Sequence, residues 1–184
     1  MTTDLPRCAW ATSAPDYVSY HDDEWGHPLH GDVALFERMS LEAFQSGLSW
    51  LVILRKRPGF RAAFAHFDLA TVAAFGDADV ERLLADAGIV RNRAKIEATV
   101  SNARTALDAV PEGLDELLWS FAPSTHRRPQ GLGDVASTSP ESTAMAKELK
   151  RRGFRFVGPT TAYVLMQATG MVDDHVATCW RATA

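Results

Sequence analysis

The two cysteines of this chain stand at its opposite ends, and each has a histidine within reach: Cys8 with His21, and Cys179 with His175. The spacing His175-x-x-x-Cys179 puts two donors on one helical face. Thiolate plus imidazole is the mixture Zn²⁺ prefers in tetrahedral sites. A Cys₂His₂ zinc site of this kind would clasp the terminal segments, so the fold must bring its ends together. Each residue alone also reads as a buried core cysteine or a solvated histidine. A Cys8–Cys179 disulfide is the other use of two cysteines, although nothing in the sequence points to an oxidising compartment.

With 184 residues, 46% of them hydrophobic, the chain can bury a full core as one domain or as two closely packed helical lobes. A zinc site would therefore fasten a fold that already has a core. There is no N-terminal apolar leader and no apolar run approaching the ~20 residues that cross a bilayer. A soluble, cytoplasmic monomer with no membrane partner is expected.

The net charge of −4 argues against a protein that coats nucleic acid indiscriminately. Basic residues nevertheless gather locally. Between Ser120 and Gly170 lie Arg127, Arg128, Lys147, Lys150, Arg151, Arg152 and Arg155, against the acids Asp134, Glu141 and Glu148. Further runs are Arg55-Lys56-Arg57 with Arg61, and Arg91, Arg93 and Lys95. Each run is compatible with a solvated helix face, and together they could form an anion-binding surface on an acidic body.

The pattern is all-helical. Val33, Phe36, Leu41 and Phe44 follow an imperfect helical period, Asp77-Ala-Asp-Val-Glu opens a helix that Gly88 is expected to close, and Ile96, Val100, Ala103 and Leu107 mark another. Residues 123–139, rich in Ser, Thr, Pro and Gly, read as one long surface loop. After it, Thr138-x-x-Glu141 predicts a capping box with Pro140 in the first turn of a helix ending at Gly153. A short turn, Phe154 to Gly158, then leads to an apolar helix through Leu165 and Met166. Helix, glycine-containing turn, helix is the outline of a helix-hairpin-helix element, which aims backbone N–H groups at a phosphate. Many pairs of antiparallel helices carry such a glycine, so the spacing alone is a weak signal.

Longer motifs are more specific. Arg7-Cys-Ala-Trp10, Tyr20-His-Asp-Asp-Glu-Trp-Gly26, Leu41-Glu-Ala-Phe-Gln-Ser-Gly-Leu-Ser-Trp50, Asp86-Ala-Gly-Ile-Val-Arg91, Arg152-Gly-Phe-Arg-Phe-Val-Gly158 and Val172-Asp-Asp-His175 with Cys179 resemble, in order, the motifs of the DNA-3-methyladenine glycosylase I family. The similarity runs from Cys8 to Cys179. It implies an all-α helix-hairpin-helix glycosylase that excises N3-methyladenine from damaged double-stranded DNA. Such an enzyme is monofunctional, leaves an abasic site and holds one structural Zn²⁺ on Cys8, His21, His175 and Cys179.

The resemblance also assigns roles. The acidic residue that reads the base falls on Glu42 and the pocket aromatics on Trp10, Tyr17, Tyr20, Trp25 and Trp50. Those types suit the chemistry, because N3-methyladenine in DNA is cationic and leaves as a neutral base without a strong general acid. Aromatic faces attract a cation, and a carboxylate adds charge and accepts hydrogen bonds. Read without the family, the tryptophans are plain core residues and Glu42 a solvated acid.

Extruding the nucleotide costs a few kcal/mol, about what an inserted side chain must help to offset. Leu48, after Gly47, is the candidate wedge, with a core leucine as the alternative. Phosphate contacts are expected from Gly158, Thr160 and Thr161, with charge from Lys150, Arg151 and Arg155. The hairpin departs from the superfamily pattern, since Phe156 stands where a glycine is usual. Asp173 falls at the superfamily's catalytic aspartate position, where this glycosylase type often has asparagine. It either activates water or stabilises the oxocarbenium ion, or it steadies the neighbouring His175. Two rival classes are a noncatalytic zinc-stabilised DNA-binding module, which leaves a carboxylate amid aromatics unexplained, and a zinc hydrolase, which four protein ligands would close.

Overall fold

The computed structural model describes residues 5–183, and among these every regular element is helical. The α-helices are α1 (Pro15–Asp23), α2 (Asp32–Gln45), α3 (Trp50–Ala63), α4 (Leu69–Ala73), α5 (Asp77–Ala85), α6 (Arg93–Ala109), α7 (Leu114–Trp119), α8 (Pro140–Arg152) and α9 (Pro159–Ala168). Short 3₁₀ turns add Ala9–Thr12, Ala65–Phe67, Leu132–Asp134 and Trp180–Thr183. Among the described residues no helix is long and apolar enough to cross a membrane.

Helix α2 organises the rest, packing against α3, α6, α7 and α9. Leu35, Phe36 and the unbroken run Arg38 to Phe44 are buried, so α2 has no solvent face over two turns. Val33, counted among its apolar positions, is exposed instead. Surrounding α2 on all sides carries Arg38, Ser40 and Glu42 into the interior together with Leu41 and Phe44. On its α3 side the core is aromatic, with Phe44 and Phe60 centroids 4.7 Å apart and Phe64 stacked on Phe67 at 5.6 Å.

Local signals set several boundaries. Asn92 caps α6 by accepting from Lys95 N at 3.1 Å, and Asp68 caps α4 by accepting from Thr71 N at 2.8 Å. Lys95, buried on α6, reaches the C-terminus of α2 and donates to the carbonyls of Phe44 (2.8 Å) and Ser46 (2.6 Å). That satisfies orphan acceptors where the helix dipole is negative, and fixes the turn leading to α3. The predicted capping box is displaced by one residue. Ser139, not Thr138, caps α8 by accepting from Ser142 N, and the Ser142 hydroxyl accepts in return from Ser139 N. Gly153 ends α8 in the left-handed conformation, as expected. Gly88 does not close α5, which stops at Ala85. Gly88 instead lies against Gly59 of α3, where a Cβ on Gly59 would come 2.5 Å from the Gly88 carbonyl oxygen.

The terminal segments meet. Trp180 N donates to Pro6 O at 2.7 Å, and Gly170, after α9, packs against the turn after α1. Gly170 has φ +73°, and a Cβ there would stand 2.6 Å from the carbonyl carbon of His27. Gly31 also has positive φ, but a Cβ there would find nothing within 4 Å. Gly31→Ala should therefore cost about 1 kcal/mol of backbone strain, whereas Gly170→Ala should cost about 2–3 kcal/mol because backbone must also move. Urea unfolding midpoints check this, and equal midpoints for the two variants would remove the close-approach argument.

Candidate active site

A cavity of about 510 Å³ opens between α1, α2, α3, α9 and residues 123–139, and the five predicted aromatics and Glu42 all line it. Tyr17 and Tyr20 lie three residues apart on α1 and so share a face, with Trp25 just beyond that helix and Trp10 in the first 3₁₀ turn. Trp10 meets Tyr17 and Trp25 edge to face at 5.6 and 5.1 Å. Tyr20 and Trp50 form a tilted pair at 5.4 Å. The Tyr17 hydroxyl accepts from Leu51 N at 2.9 Å, satisfying a free donor in the first turn of α3 and fixing Trp50 beside it.

Glu42 is 3% exposed. Burial pushes its carboxyl up to about 7, against the opposing pull of Arg38. Its Oε1 lies 3.8 Å from Arg38 Nη1, and its Oε2 has no hydrogen-bond partner in the protein. The buried Trp50 Nε1 likewise lacks one. An acceptor and a donor, both desolvated and unmatched, thus share one aromatic-walled cavity. Since the folded carboxyl is raised, ionising it costs stability, and the fold weakens as pH rises from the ordinary glutamate range through about 7.

The rest of the lining was not anticipated from sequence. It consists of Gln45, Val164, Gln167, Asp174, Leu132 and Val135. Gln45 is one helical turn from Glu42, and Gln167 one turn from Val164, so i+3 spacing from a known lining residue could have flagged Gln45. Nothing local marks Asp174 over Asp173. Asp174 is buried and accepts from His126, Tyr163 OH at 2.9 Å and Gln167 Nε2 at 2.7 Å. Asp173 turns away, with Oδ1 2.8 Å from His175 Nδ1 and Oδ2 paired with Arg128. Residues 123–139 are tied down by these contacts and by Ala177 N donating to Pro129 O, and they contribute Leu132 and Val135 to the cavity.

Directly behind the aromatic wall, Cys8, His21 and Cys179 each place one donor atom within 4.8 Å of the others. All three are buried and both thiols are free. His175 is set beside this trio, its ring 4.9 Å from that of His21, and its buried Nε2 has no protein partner. Each imidazole is oriented by a carboxylate: His21 Nδ1 by Asp22 and His175 Nδ1 by Asp173, both at 2.8 Å. That leaves both Nε2 atoms for the cluster, an arrangement typical of metal-ligating histidines. Burial pushes the Cys8 thiol up to about 12. Trp25 packs on His175 at 4.6 Å and Trp10 on His21 at 5.3 Å, so the cluster and the cavity share rings. Gly26 permits this, because a Cβ there would meet the His175 ring at 2.7 Å.

A second, smaller cavity of about 210 Å³ joins Glu42 and Gln45 to Leu48, Thr160 and Thr161. Leu48 is exposed at the Gly47 turn, on the side where α9 begins. Gly158 is the N-cap of α9. Phe156, exposed, takes φ +58°, the left-handed geometry that favours glycine, so the turn keeps a glycine-type backbone conformation at a cost in strain. The turn is held by Asn102 of α6, which accepts from Arg155 N at 2.8 Å and donates to Arg155 O at 3.0 Å. Lys150 and Arg155 are exposed, whereas Arg151 is paired with Glu148 at 2.6 Å.

Most of the other basic residues are engaged within the fold. Arg55, Arg57 and Arg61 of α3 pair with Asp16, Glu24 and Glu37, Arg93 pairs with Glu81, and Lys95 is buried. Their charge is consumed in fastening α3 to α1 and α2, and α6 to α5.

A family model described as methyladenine glycosylase matches residues 10–182. DNA-3-methyladenine glycosylase 1 of Escherichia coli (strain K12) is 44% identical over 179 residues, 95% of this chain and 96% of that protein. A crystal structure of 3-methyladenine DNA glycosylase I is similar with a TM-score of 0.91 at 44% identity, over 95% of this chain and 98% of that one. The Staphylococcus aureus 3-methyladenine DNA glycosylase I, solved for the structural basis of 3-methyladenine recognition, gives 0.89 at 34% identity over 96% of each chain. With a family match over nearly its whole length, the chain belongs to the methyladenine glycosylase family.

Proposed function

We propose that this protein is a base excision repair glycosylase that hydrolyses the N-glycosidic bond of N3-methyladenine in alkylated double-stranded DNA. The observation that carries the reading is Glu42: a buried carboxylate with an unmatched oxygen, in a cavity walled by Tyr20, Trp50, Trp10, Tyr17 and Trp25. The cationic lesion gains from both features. Stacking on Tyr20 and Trp50 contributes about 1–2 kcal/mol of cation–π attraction when desolvated. Ionised Glu42 adds charge attraction and accepts from the exocyclic amino group. Neutral adenine gains less from each, so discrimination arises from charge as well as shape. The base departs neutral, and hydrolysis needs only water at the sugar carbon. Among the described residues no lysine or cysteine lines the cavity to bond the sugar, which supports a monofunctional reaction leaving an abasic site and free 3-methyladenine.

The α8–turn–α9 unit is read as the helix-hairpin-helix element. Thr160 and Thr161 offer N–H groups at the start of α9 to a phosphate, Lys150 and Arg155 supply charge, and Leu48 enters the stack where the base has left. The span acts as one glycosylase domain, monomeric and cytoplasmic, a compartment that suits two free thiols.

Cys8, His21, His175 and Cys179 fit a structural Zn²⁺: two thiols, two carboxylate-oriented imidazoles and a buried, unmatched Nε2 on His175. Four protein ligands leave no open coordination position, so the ion when bound supplies cross-linking of the termini. Asp173, turned onto His175, serves as that ligand's orienting partner.

Three outcomes test this reading. Glu42→Ala should retain fold and metal yet lose most release of 3-methyladenine and most affinity for the free base. Glu42→Gln should keep part of the binding, because an amide oxygen still accepts a hydrogen bond. Wild-type affinity should fall as pH drops through about 7, because protonated Glu42 loses its charge. Full excision by Glu42→Ala would refute the site. For the clasp, metal analysis should find one zinc per chain, with Cys179→Ala losing both zinc and a cooperative unfolding transition. The loss should be below the roughly 10 kcal/mol of peptide zinc sites, because a core remains. Unchanged stability in that variant would reject the clasp. For DNA grip, Arg155→Glu should weaken binding to damaged and undamaged DNA alike and flatten the salt dependence by about one phosphate contact. Arg151→Glu should do less, because Glu148 already engages Arg151. Equal slopes in all three proteins would place the DNA surface elsewhere.

A further inference from the structure

Arg38 is a buried cation that does not line the cavity yet touches the residues that do. It sits one turn before Glu42 on α2, is 7% exposed, and lies behind the rings, with its guanidinium carbon 5.3 Å from the Tyr20 centroid and 5.1 Å from that of Trp50. Nη1 donates to the Tyr20 hydroxyl oxygen at 2.8 Å and stands 3.8 Å from Glu42 Oε1, while Nη2 is 3.7 Å from Glu24. Glu24 is itself engaged by Arg57, so it balances Arg38 only in part. A desolvated guanidinium is costly unless it is paired, and here its partners are the base-reading groups themselves.

The geometry points to Arg38 as the positioning residue of the base pocket, one that holds Glu42 in its anionic form and turns the Tyr20 hydroxyl proton toward the base. The Tyr20 oxygen already accepts from Arg38, so its own proton must be directed elsewhere, and Tyr20 lines the cavity. Tyr20 is thereby a donor beside the Glu42 acceptor, a pair complementary to a ring nitrogen next to an amino group. Glu42 needs the neighbouring cation because burial works against its charge, and the Arg38 guanidinium is what pulls its carboxyl back down. The groups facing Glu42 from other elements supply no second cation: Tyr20 of α1 and Trp50 of α3 are uncharged, and Asp174 across the cavity is an acid already accepting three hydrogen bonds.

This inference rests on Glu42 and Tyr20 reading the base, and the two can be separated. Protein labelled with ¹³C at the glutamate carboxyl carbons, titrated through neutrality by NMR without base or DNA, reads Glu42 directly. Arg38→Met should raise the Glu42 midpoint by about one unit or more, the effect of losing an opposite charge at this range. Arg38→Lys, which keeps the charge, should leave the midpoint near wild type. Release of 3-methyladenine from alkylated DNA by Arg38→Met should fall about tenfold at neutral pH and recover toward wild type in alkali, following the shifted midpoint. Arg38→Gln, which still donates to Tyr20, should shift the midpoint equally yet lose less activity in alkali. In a Tyr20→Phe background that advantage of Gln over Met should vanish. A folded Arg38→Met with a wild-type midpoint and pH profile would overturn the role. If Arg38→Met does not fold, Arg38→Gln carries the titration, and an unmoved midpoint there overturns it equally. If instead Glu42→Ala excises normally while the midpoint shift stands, the pocket assignment fails and the electrostatic coupling survives.

Discussion

The contact on which the rest of the structure depends is that between the terminal cluster and the aromatic wall. Trp25 meets His175 and Trp10 meets His21 edge to face, and both tryptophans also line the cavity. The ends of the chain are thus joined through the same side chains that shape the pocket. Aromatic rings are rigid, so whatever sets the imidazoles also bears on the wall. Asp22 and Asp173 fix the imidazoles, and Arg7 and Arg128 in turn hold those carboxylates. Order imposed at the termini passes through two layers of polar contacts and one of rings before it reaches the base.

A second constraint concerns charge inside the fold. Helix α2 is surrounded on all sides, which would ordinarily demand an apolar sequence, yet it carries Arg38 and Glu42 one turn apart. The cost appears as a carboxyl raised to about 7 and as an oxygen left without a partner. Such unmatched groups destabilise an empty pocket and are relieved by a ligand with the complementary edge, a pattern expected where function competes with stability. The surface charges behave differently. Most arginines of α3 are tied to acids of α1 and α2, whereas Lys150 and Arg155 beside the α8–α9 turn are exposed.

The sequence by itself determined the helical class, the principal helices and about half of the residues that line the pocket. Its periodicity placed α2, α6, α8 and α9, because 3.6-residue spacing, caps and glycine stops are local signals. Motif resemblance, not periodicity, singled out Glu42 and the five aromatics, which converge on one cavity, while donor types and spacing singled out the terminal residues Cys8, His21 and Cys179, whose donor atoms meet. What only the tertiary structure decided depends on partners distant in sequence. Asp174 rather than Asp173 faces the cavity because the chain after α9 turns one carboxylate toward Tyr163 and Gln167 and the other onto His175. Arg55, Arg57, Arg61 and Arg93 are paired with acids distant in sequence, which no local charge pattern reveals. Residues 123–139 read as a surface loop from composition, yet they supply part of the cavity wall, since their anchors lie some 45 residues onward at Asp173 and Asp174. Arg38, an ordinary charge on a helix in sequence, acquires its place only because α2 is buried on every side and brings a cation behind Tyr20 and Trp50. Local chemistry specifies which residues can do the work; burial and long-range pairing determine which of them face the base.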